Sequence, residues 1–299
     1  GVIGASVPGI PLIMSGRSTK IGWGLAASNA DDQDVFIEKL NPEAKDEYLT
    51  PSGFMRFQSE SVIIEIKDAA SQSIDLRWTT NGPVLDGDTF GLTQITPVGH
   101  VPSLRSVTLV EQDKSFSALF NMMTQDTVQS AQAQFSEYVT PQYNLVLADK
   151  NNVALQVIGK LPKRNIDHVG QGRIPSQGWL KRNQWIGHFP YSKNPFELNP
   201  TSGLVANTNN KTTNAPFPQH IAHQWGDSFR IARLSKLMNE RKIHTRDSFM
   251  EAQLDNVSFA ARAVLPLIAK ELWFTGTPAL EGTRERLRQH ALELLANWN

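Results

Sequence analysis

Alternating apolar and polar positions mark the first half of the chain as strands. "SVIIEIKD" (61–68) and "SIDLRWTT" (73–80) are bounded by Ser, Asp and Gly, as half-buried antiparallel strands are. Two further short apolar runs, "SVTLVEQ" (106–112) and "FSALFNMM" (116–123), extend this strand-rich stretch. From about Thr127 to Tyr138 the period turns helical, with Val128, Ala131, Phe135 and Tyr138 on one face and Asp126 near the start. "YNLVLADKNNVALQVIG" (143–159) reads as a hairpin of two apolar runs turning at 149–152.

Residues 161–200 are rich in Pro, Gly and Trp, too irregular for a sheet or a helix and too aromatic for a loose linker. From Asp227 onward helical patterns dominate: "SFRIARLSKLMNE", "TRDSFMEAQLD", "FAARAVLPLIAKELW" and "GTRERLRQHALELLANWN". Strands first and helices later predict an α+β chain rather than a doubly wound α/β sheet. The expected organisation is a single partial domain over 1–299, with strands and loops in 1–226 and helices in 227–299. No repeat or low-complexity tract interrupts it.

Composition narrows the partners. The 299 residues are 40% hydrophobic, enough for a sizeable core. Lys plus Arg equals Asp plus Glu, at 29 each, which argues against nucleic acid or an anionic membrane as the main partner. The apolar runs are short and broken by Pro and Gly, so no membrane span is expected. The absence of Cys removes disulfides, thiolate metal sites and a cysteine nucleophile. Gly1 opens in mid-pattern, and "LELLANWN" ends with a helical period still running; both suggest a piece of a longer polypeptide.

Several stretches carry candidate chemistry. "GLVANTNNKT" (203–212) packs three asparagines into four positions after an apolar run. Such a cluster is either a turn, since Asn bonds its own backbone and tolerates φ > 0, or a fixed amide donor for an oxyanion. In "IGWGLAASNADDQDVFIEKL" (21–40) a strand-like start runs into small residues, whose N–H groups a ligand can approach closely. The carboxylates of Asp31 and Asp34 with the Gln33 carbonyl are hard oxygen donors of the kind Ca²⁺ takes; a solvated acidic loop is the plainer alternative. Arg230 and Arg233, at i and i+3 of a predicted helix, are placed either for solvent or for a carboxylate or amide oxygen. The Trp179 and Trp185 region is either a binding platform or a loop pinned by its indoles. The seven histidines are scattered without ligand spacing, and GxSxG, HExxH and Walker motifs are missing.

Taken in order, these segments resemble the β-chain of the penicillin acylase family of N-terminal-nucleophile amidohydrolases, over nearly the whole chain. The resemblance rests on "GASVPGIPLIMSGRSTKIGWGLAASNADDQDVFIEKL" with its Pro-Gly-x-Pro, Trp-Gly, Asp-x-x-Asp and following Glu. It continues through Asn81-Gly82-Pro83, "YNLVLADKNN", "GKLPKR", "GWLKRNQWIGHFPYSKNPFELNPTSGLVANTNN", "WGDSFRIARL" and "LLANWN". It implies a four-layer αββα sandwich and cleavage of a small N-acyl amide by a Ser at a free chain N-terminus, whose own α-amino group is the base. An α-amine titrates near pH 8, so it serves as a base at neutral pH. The matching oxyanion donors are the Ala27 backbone N–H and the Asn209 side chain, with Arg230 orienting the site; Asn207 and Asn210 are expected to be turn residues. The resemblance also implies Ca²⁺ held by Asp31, Gln33 (carbonyl), Asp34 and Pro162 (carbonyl).

The departures are specific. Asn81 stands where the family has His. The family's distal calcium Asp falls near Gln219 or His220, and His is a poor Ca²⁺ ligand. No Ser here matches the nucleophile, so it is expected outside this chain, in other α- and β-chain segments of a self-cleaving periplasmic or secreted precursor. The chain alone is then expected to be inactive. The rival from another class is a non-catalytic carbohydrate- or peptide-binding module using the Trp179–Trp185 loop.

Overall fold

In the computed structural model, residues 1–212, 220–268 and 277–297 are described. The strands β1 (Ile3–Ser6), β2 (Ile13–Arg17), β3 (Gly22–Ala27), β4 (Gln33–Lys39), β5 (Glu47–Thr50) and β6 (Gly53–Arg56) come first. They are followed by β7 (Gln58–Ile64), β8 (Gln72–Thr79), β9 (Gly82–Pro83) and β10 (His100–Ser106). Helices α1 (Ser115–Met122) and α2 (Val128–Ala133) precede β11 (Tyr143–Ala148), β12 (Val153–Ile158), β13 (Pro162–Arg164), β14 (Ser176–Gln177), β15 (Trp185–His188) and β16 (Phe196–Leu198). The later helices are α3 (Phe229–Asn239), α4 (Arg246–Gln253), α5 (Phe259–Val264) and α6 (Arg284–Ala296). Strands first and helices last is the predicted α+β order. No helix among the described residues is long and apolar enough to cross a membrane.

Two compact units form, Gly1–Val205 with Lys211–Trp225, and Ala206–Asn210 with Gly226–Asn299. The first unit is built on a six-stranded sheet in the order β1-β2-β3-β11-β12-β16. The predicted hairpin is its centre: Tyr143 pairs with Ile158 and Ala148 with Val153, and Asp149 closes the turn by accepting from the Asn151 and Asn152 N–H groups. The Asp149 carboxylate also takes the Val128 N–H at the start of α2, and these bonds hold its pKa below the ordinary value.

The predicted helical face is the one that packs. Val128, Ala131, Phe135 and Tyr138 are buried in one cluster with Trp23, Leu145, Leu147, Ala154 and Ile158 of the sheet. Thr127, not Asp126, caps α2: its side chain accepts the Ser130 N–H in a capping box. "FSALFNMM" is the helix α1 and not a strand, because Ser115, Ala118, Leu119 and Met122 recur at helical spacing and are the residues that bury. The expected strand "SVTLVEQ" is also corrected: β10 starts earlier and ends at Ser106. Pro102 lies inside β10, which is tolerated because β10 is the edge of the sheet β10-β4-β14. Residues 161–200 do carry regular structure, as the short strands β13 to β16. Part of the pattern "FAARAVLPLIAKELW", from 269, and the end of "LLANWN", from 298, lie outside the described residues.

Two neighbours in the core respond differently to truncation. Phe135 is fully buried and packs edge-on against Tyr138 at 5.4 Å between ring centroids. The Tyr138 hydroxyl is buried and finds no hydrogen-bond partner among the described residues, and burial pushes its pKa well above the usual phenol value. Phe135→Ala in the intact protein is expected to cost about 3–5 kcal/mol. Tyr138→Phe removes only a desolvated hydroxyl and is expected to be neutral or slightly stabilising. Denaturant midpoints at constant slope check both.

Candidate active site

The asparagine loop is a turn, and the turn fixes one amide. The Asn207 side chain spans it, its Oδ1 accepting the Asn209 N–H at 2.8 Å and its Nδ2 donating to the Asn210 carbonyl at 3.1 Å. Asn210 Oδ1 takes the Thr208 N–H at 2.9 Å. Asn209 itself sits in the left-handed region with φ of 68°. Its carbonyl accepts the Gly226 N–H at 2.8 Å, and a Cβ at Gly226 would lie 2.6 Å from that oxygen, so only glycine allows the approach. At the start of α3, Arg230 Nη2 donates to Asn209 Oδ1 at 3.0 Å. A guanidinium has no acceptor, so this contact settles which side of the amide is oxygen and turns the NH₂ edge the other way.

The arginine pair resolves into two roles. Arg230 faces the Asn209 amide, whereas Arg233 binds Asp255 through Nε and Nη2 and lies over the Phe259 ring at 5.4 Å. Beside them opens a cleft of about 310 Å³ lined in part by Thr208, Phe229, Arg230, Leu237 and Phe259.

Ala27 ends β3 in the other unit and is exposed. The next residue, Ser28, is fully buried and donates both its N–H and its hydroxyl to the Gln142 carbonyl. By the alternation of an antiparallel ladder, Ala27 and Tyr143 are therefore a non-hydrogen-bonded pair, and the Ala27 N–H faces away from β11. That is the side of β2, whose pairing with β3 covers Gly22 and Trp23.

The loop after Ala27 is clamped by a buried ion pair. Arg164 and Asp34 have side chains 1% and 2% exposed. Arg164 Nε lies 2.9 Å from Asp34 Oδ2 and Nη2 lies 2.6 Å from Oδ1, while Nη2 also donates to the Asp31 carbonyl at 3.1 Å. Trp185 Nε1 donates to Asp34 Oδ2 at 2.6 Å. The Asp31 N–H bonds the Ile221 carbonyl at 2.7 Å. Asp32, half-buried beside Asp31, has its pKa raised chiefly by desolvation.

These contacts bear on the calcium set. A hard dication needs open carboxylate oxygens. Here both Asp34 oxygens are taken, by Arg164 and by the Trp185 indole. The residues present do not fit calcium. Gln33 is exposed at the start of β4 and Pro162 is buried in β13; Gln219 lies outside the described residues.

Trp185 is 7% exposed, so the tryptophan loop is a structural pin with a half-buried Trp179 against His100, and the platform expected of a binding module is missing. Among the arrangements that escaped sequence reasoning, two are buried. The first is Arg164, 130 residues from its partner. The second is Glu38, fully buried, whose Oε1 accepts from Thr79, Asn81 and Ser103. Asn81 thus serves a buried carboxylate network on the strand-turn "TTNGP". Gly82 is needed there, since its φ is 125° and a Cβ would lie 2.0 Å from the Leu104 carbonyl.

Comparison with known proteins identifies the family. The chain matches the penicillin amidase family over residues 1–299 and belongs to it. It is 28% identical over 263 residues to the acyl-homoserine lactone acylase QuiP of Pseudomonas syringae pv. tomato, covering 87% of this chain and 31% of the relative. It is 25% identical over 294 residues to the penicillin G acylase of Escherichia coli, covering 97% of this chain and 32% of the relative. The chain therefore spans about a third of the length of these curated relatives. A solved structure of a thermostable penicillin G acylase from Alcaligenes faecalis superposes with a TM-score of 0.76 at 22% identity, covering 99% of this chain and 51% of that one. The α+β fold expected from sequence is that of this acylase.

Breaking the buried pair leaves a charge with no counter-ion. Arg164→Met is expected to destabilise the protein by about 3–5 kcal/mol, and pairing it with Asp34→Leu to recover a large part of that loss. Urea unfolding of both variants checks this; a single variant losing under about 1 kcal/mol would contradict it.

Proposed function

We propose that this chain is the oxyanion-holding part of a hydrolase of small N-acyl amides. Family membership supports acylase-type amide hydrolysis, and the single observation that carries the finer reading is the Asn209 amide, locked by its turn and by Arg230. In this reading a Ser hydroxyl at a free N-terminus elsewhere in the precursor attacks the amide carbonyl, with its α-amino group taking the proton. The carbonyl oxygen becomes an oxyanion that accepts from Asn209 Nδ2 and the Ala27 N–H. The leaving amine takes the proton, and water then hydrolyses the acyl ester and regenerates the Ser.

The physical advantage is preorganisation. A donor held before the charge develops needs no reorientation when it does. Arg230, drawing electron density through Asn209 Oδ1, makes the amide N–H a stronger donor as well as a better aimed one. The cleft beside Arg230 receives one side of the substrate. The acting unit is the exported precursor after self-cleavage into its chains, with the remaining α- and β-chain segments supplying the nucleophile.

Asn209→Ala in the full-length, correctly processed enzyme is expected to lower kcat by about a hundredfold or more with little change in KM, since the donor acts on the transition state. Turnover of an N-acyl amide substrate by mass-verified processed enzyme gives the answer, and near-wild-type turnover refutes the role of Asn209.

A further inference from the structure

We infer that the first unit holds a transition-metal site, built from Asp31, His220 and His223, that takes Zn²⁺. The side chains meet at one carboxylate oxygen: His220 Nε2 lies 2.8 Å and His223 Nε2 3.5 Å from Asp31 Oδ2. One donor atom from each lies within 4.8 Å of the others. A tetrahedral zinc with bonds of about 2.0–2.1 Å spaces its ligand atoms by roughly 3.3 Å, and the two histidine-to-carboxylate separations lie on either side of that value. The imidazole rings lie 4.1 Å apart at 40° and turn their Nε2 atoms to the same point.

A neighbouring loop adds an oxygen. Gln171 adopts a φ of 46°, and its carbonyl stands 3.2 Å from His223 Nε2. Buried His168 holds that conformation, its Nδ1 accepting the Gln171 N–H at 2.8 Å and its Nε2 meeting the Ser176 hydroxyl at 3.1 Å. Three protein ligands and a carbonyl or water complete four-coordination, and the half-exposed histidines give the ion an entry path.

Ligand chemistry decides the metal. Two imidazole nitrogens and one carboxylate suit zinc, whereas calcium wants oxygen throughout. Arg164 Nη2, 3.3 Å from Asp31 Oδ2, brings a positive charge, but Asp34 matches it through both oxygens, and Asp31 and Asp32 remain to receive a dication. Metal binding requires both rings as the Nδ1–H tautomer, so the His223 contact to Gln171 is exchanged for the ion. The bound ion joins the segment at 220–223 to the loop that follows Ala27. The reading of the histidines as scattered without ligand spacing is corrected for this pair: "HIAH" places two at i and i+3, a spacing that gains meaning only with Asp31 beside it.

The test is metal content, which stands apart from acyl transfer. The processed enzyme is stripped with a chelator, dialysed against Zn²⁺ or Ca²⁺, and analysed for bound metal. Wild type is expected to retain one more zinc per molecule than His220→Ala/His223→Ala, and to gain no calcium through Asp31. His223→Ala alone, at an exposed ring, keeps the fold and is expected to weaken zinc binding by at least the roughly 10–100-fold that loss of an outer-shell partner costs. Co²⁺ in wild type is expected to give the visible absorption of a tetrahedral site, absent from the double variant. Equal zinc content in wild type and the double variant, or calcium displacing zinc from wild type, overturns the proposal.

Discussion

The Arg164–Asp34 ion pair is the constraint on which the loop between β3 and β4 of the first unit depends. Taking two charges out of water is costly, and the cost is offset only by near-ideal geometry with every remaining lone pair engaged. The pair meets that condition, with two guanidinium nitrogens on the carboxylate, the Trp185 indole on Oδ2 and the Asp31 carbonyl on Nη2. It joins positions 130 residues apart and so fixes where β13 stands relative to the start of β4. The loop between β3 and β4 is held at both ends, by Ser28 on Gln142 and by Asp31 and Asp34 on Arg164. A backbone N–H at the end of β3 is thereby aimed by bonds made on either side of it.

Asn209 is aimed by a different device with the same result. Its backbone is trapped by the Asn207 side chain and the glycine contact at 226, and its amide oxygen by Arg230. In both cases a flexible group becomes a fixed dipole before any substrate charge exists, which is the arrangement electrostatic stabilisation of a transition state demands. The asparagine cluster is a turn, and that turn holds the Asn209 amide in the way the proposed oxyanion role requires.

What the sequence revealed depended on range. The 143–158 hairpin and the buried face Val128, Ala131, Phe135 and Tyr138 follow from period alone, because neighbours in sequence are neighbours in space. "FSALFNMM" defeated the same reasoning, since a short, densely apolar run satisfies helical and strand templates equally. The asparagine turn and Arg230 were legible through ordered motifs. The Arg164 clamp, the Glu38 network and the meeting of Asp31 with His220 and His223 were not, because each joins segments tens to more than a hundred residues apart. The calcium set shows the same effect in reverse: four residues of suitable type were present, but the side chain that occupies Asp34 came from another strand.

The central claim is that Asn209 and Ala27 hold the oxyanion. It is tested most directly by a crystal structure of the processed enzyme bearing a tetrahedral adduct on its nucleophile, such as that left by a sulfonyl fluoride. The account predicts the oxyanion-equivalent oxygen within about 2.7–3.1 Å of both Asn209 Nδ2 and the Ala27 nitrogen. An adduct whose oxygen is held by other donors, with either group turned away from it, would contradict the account.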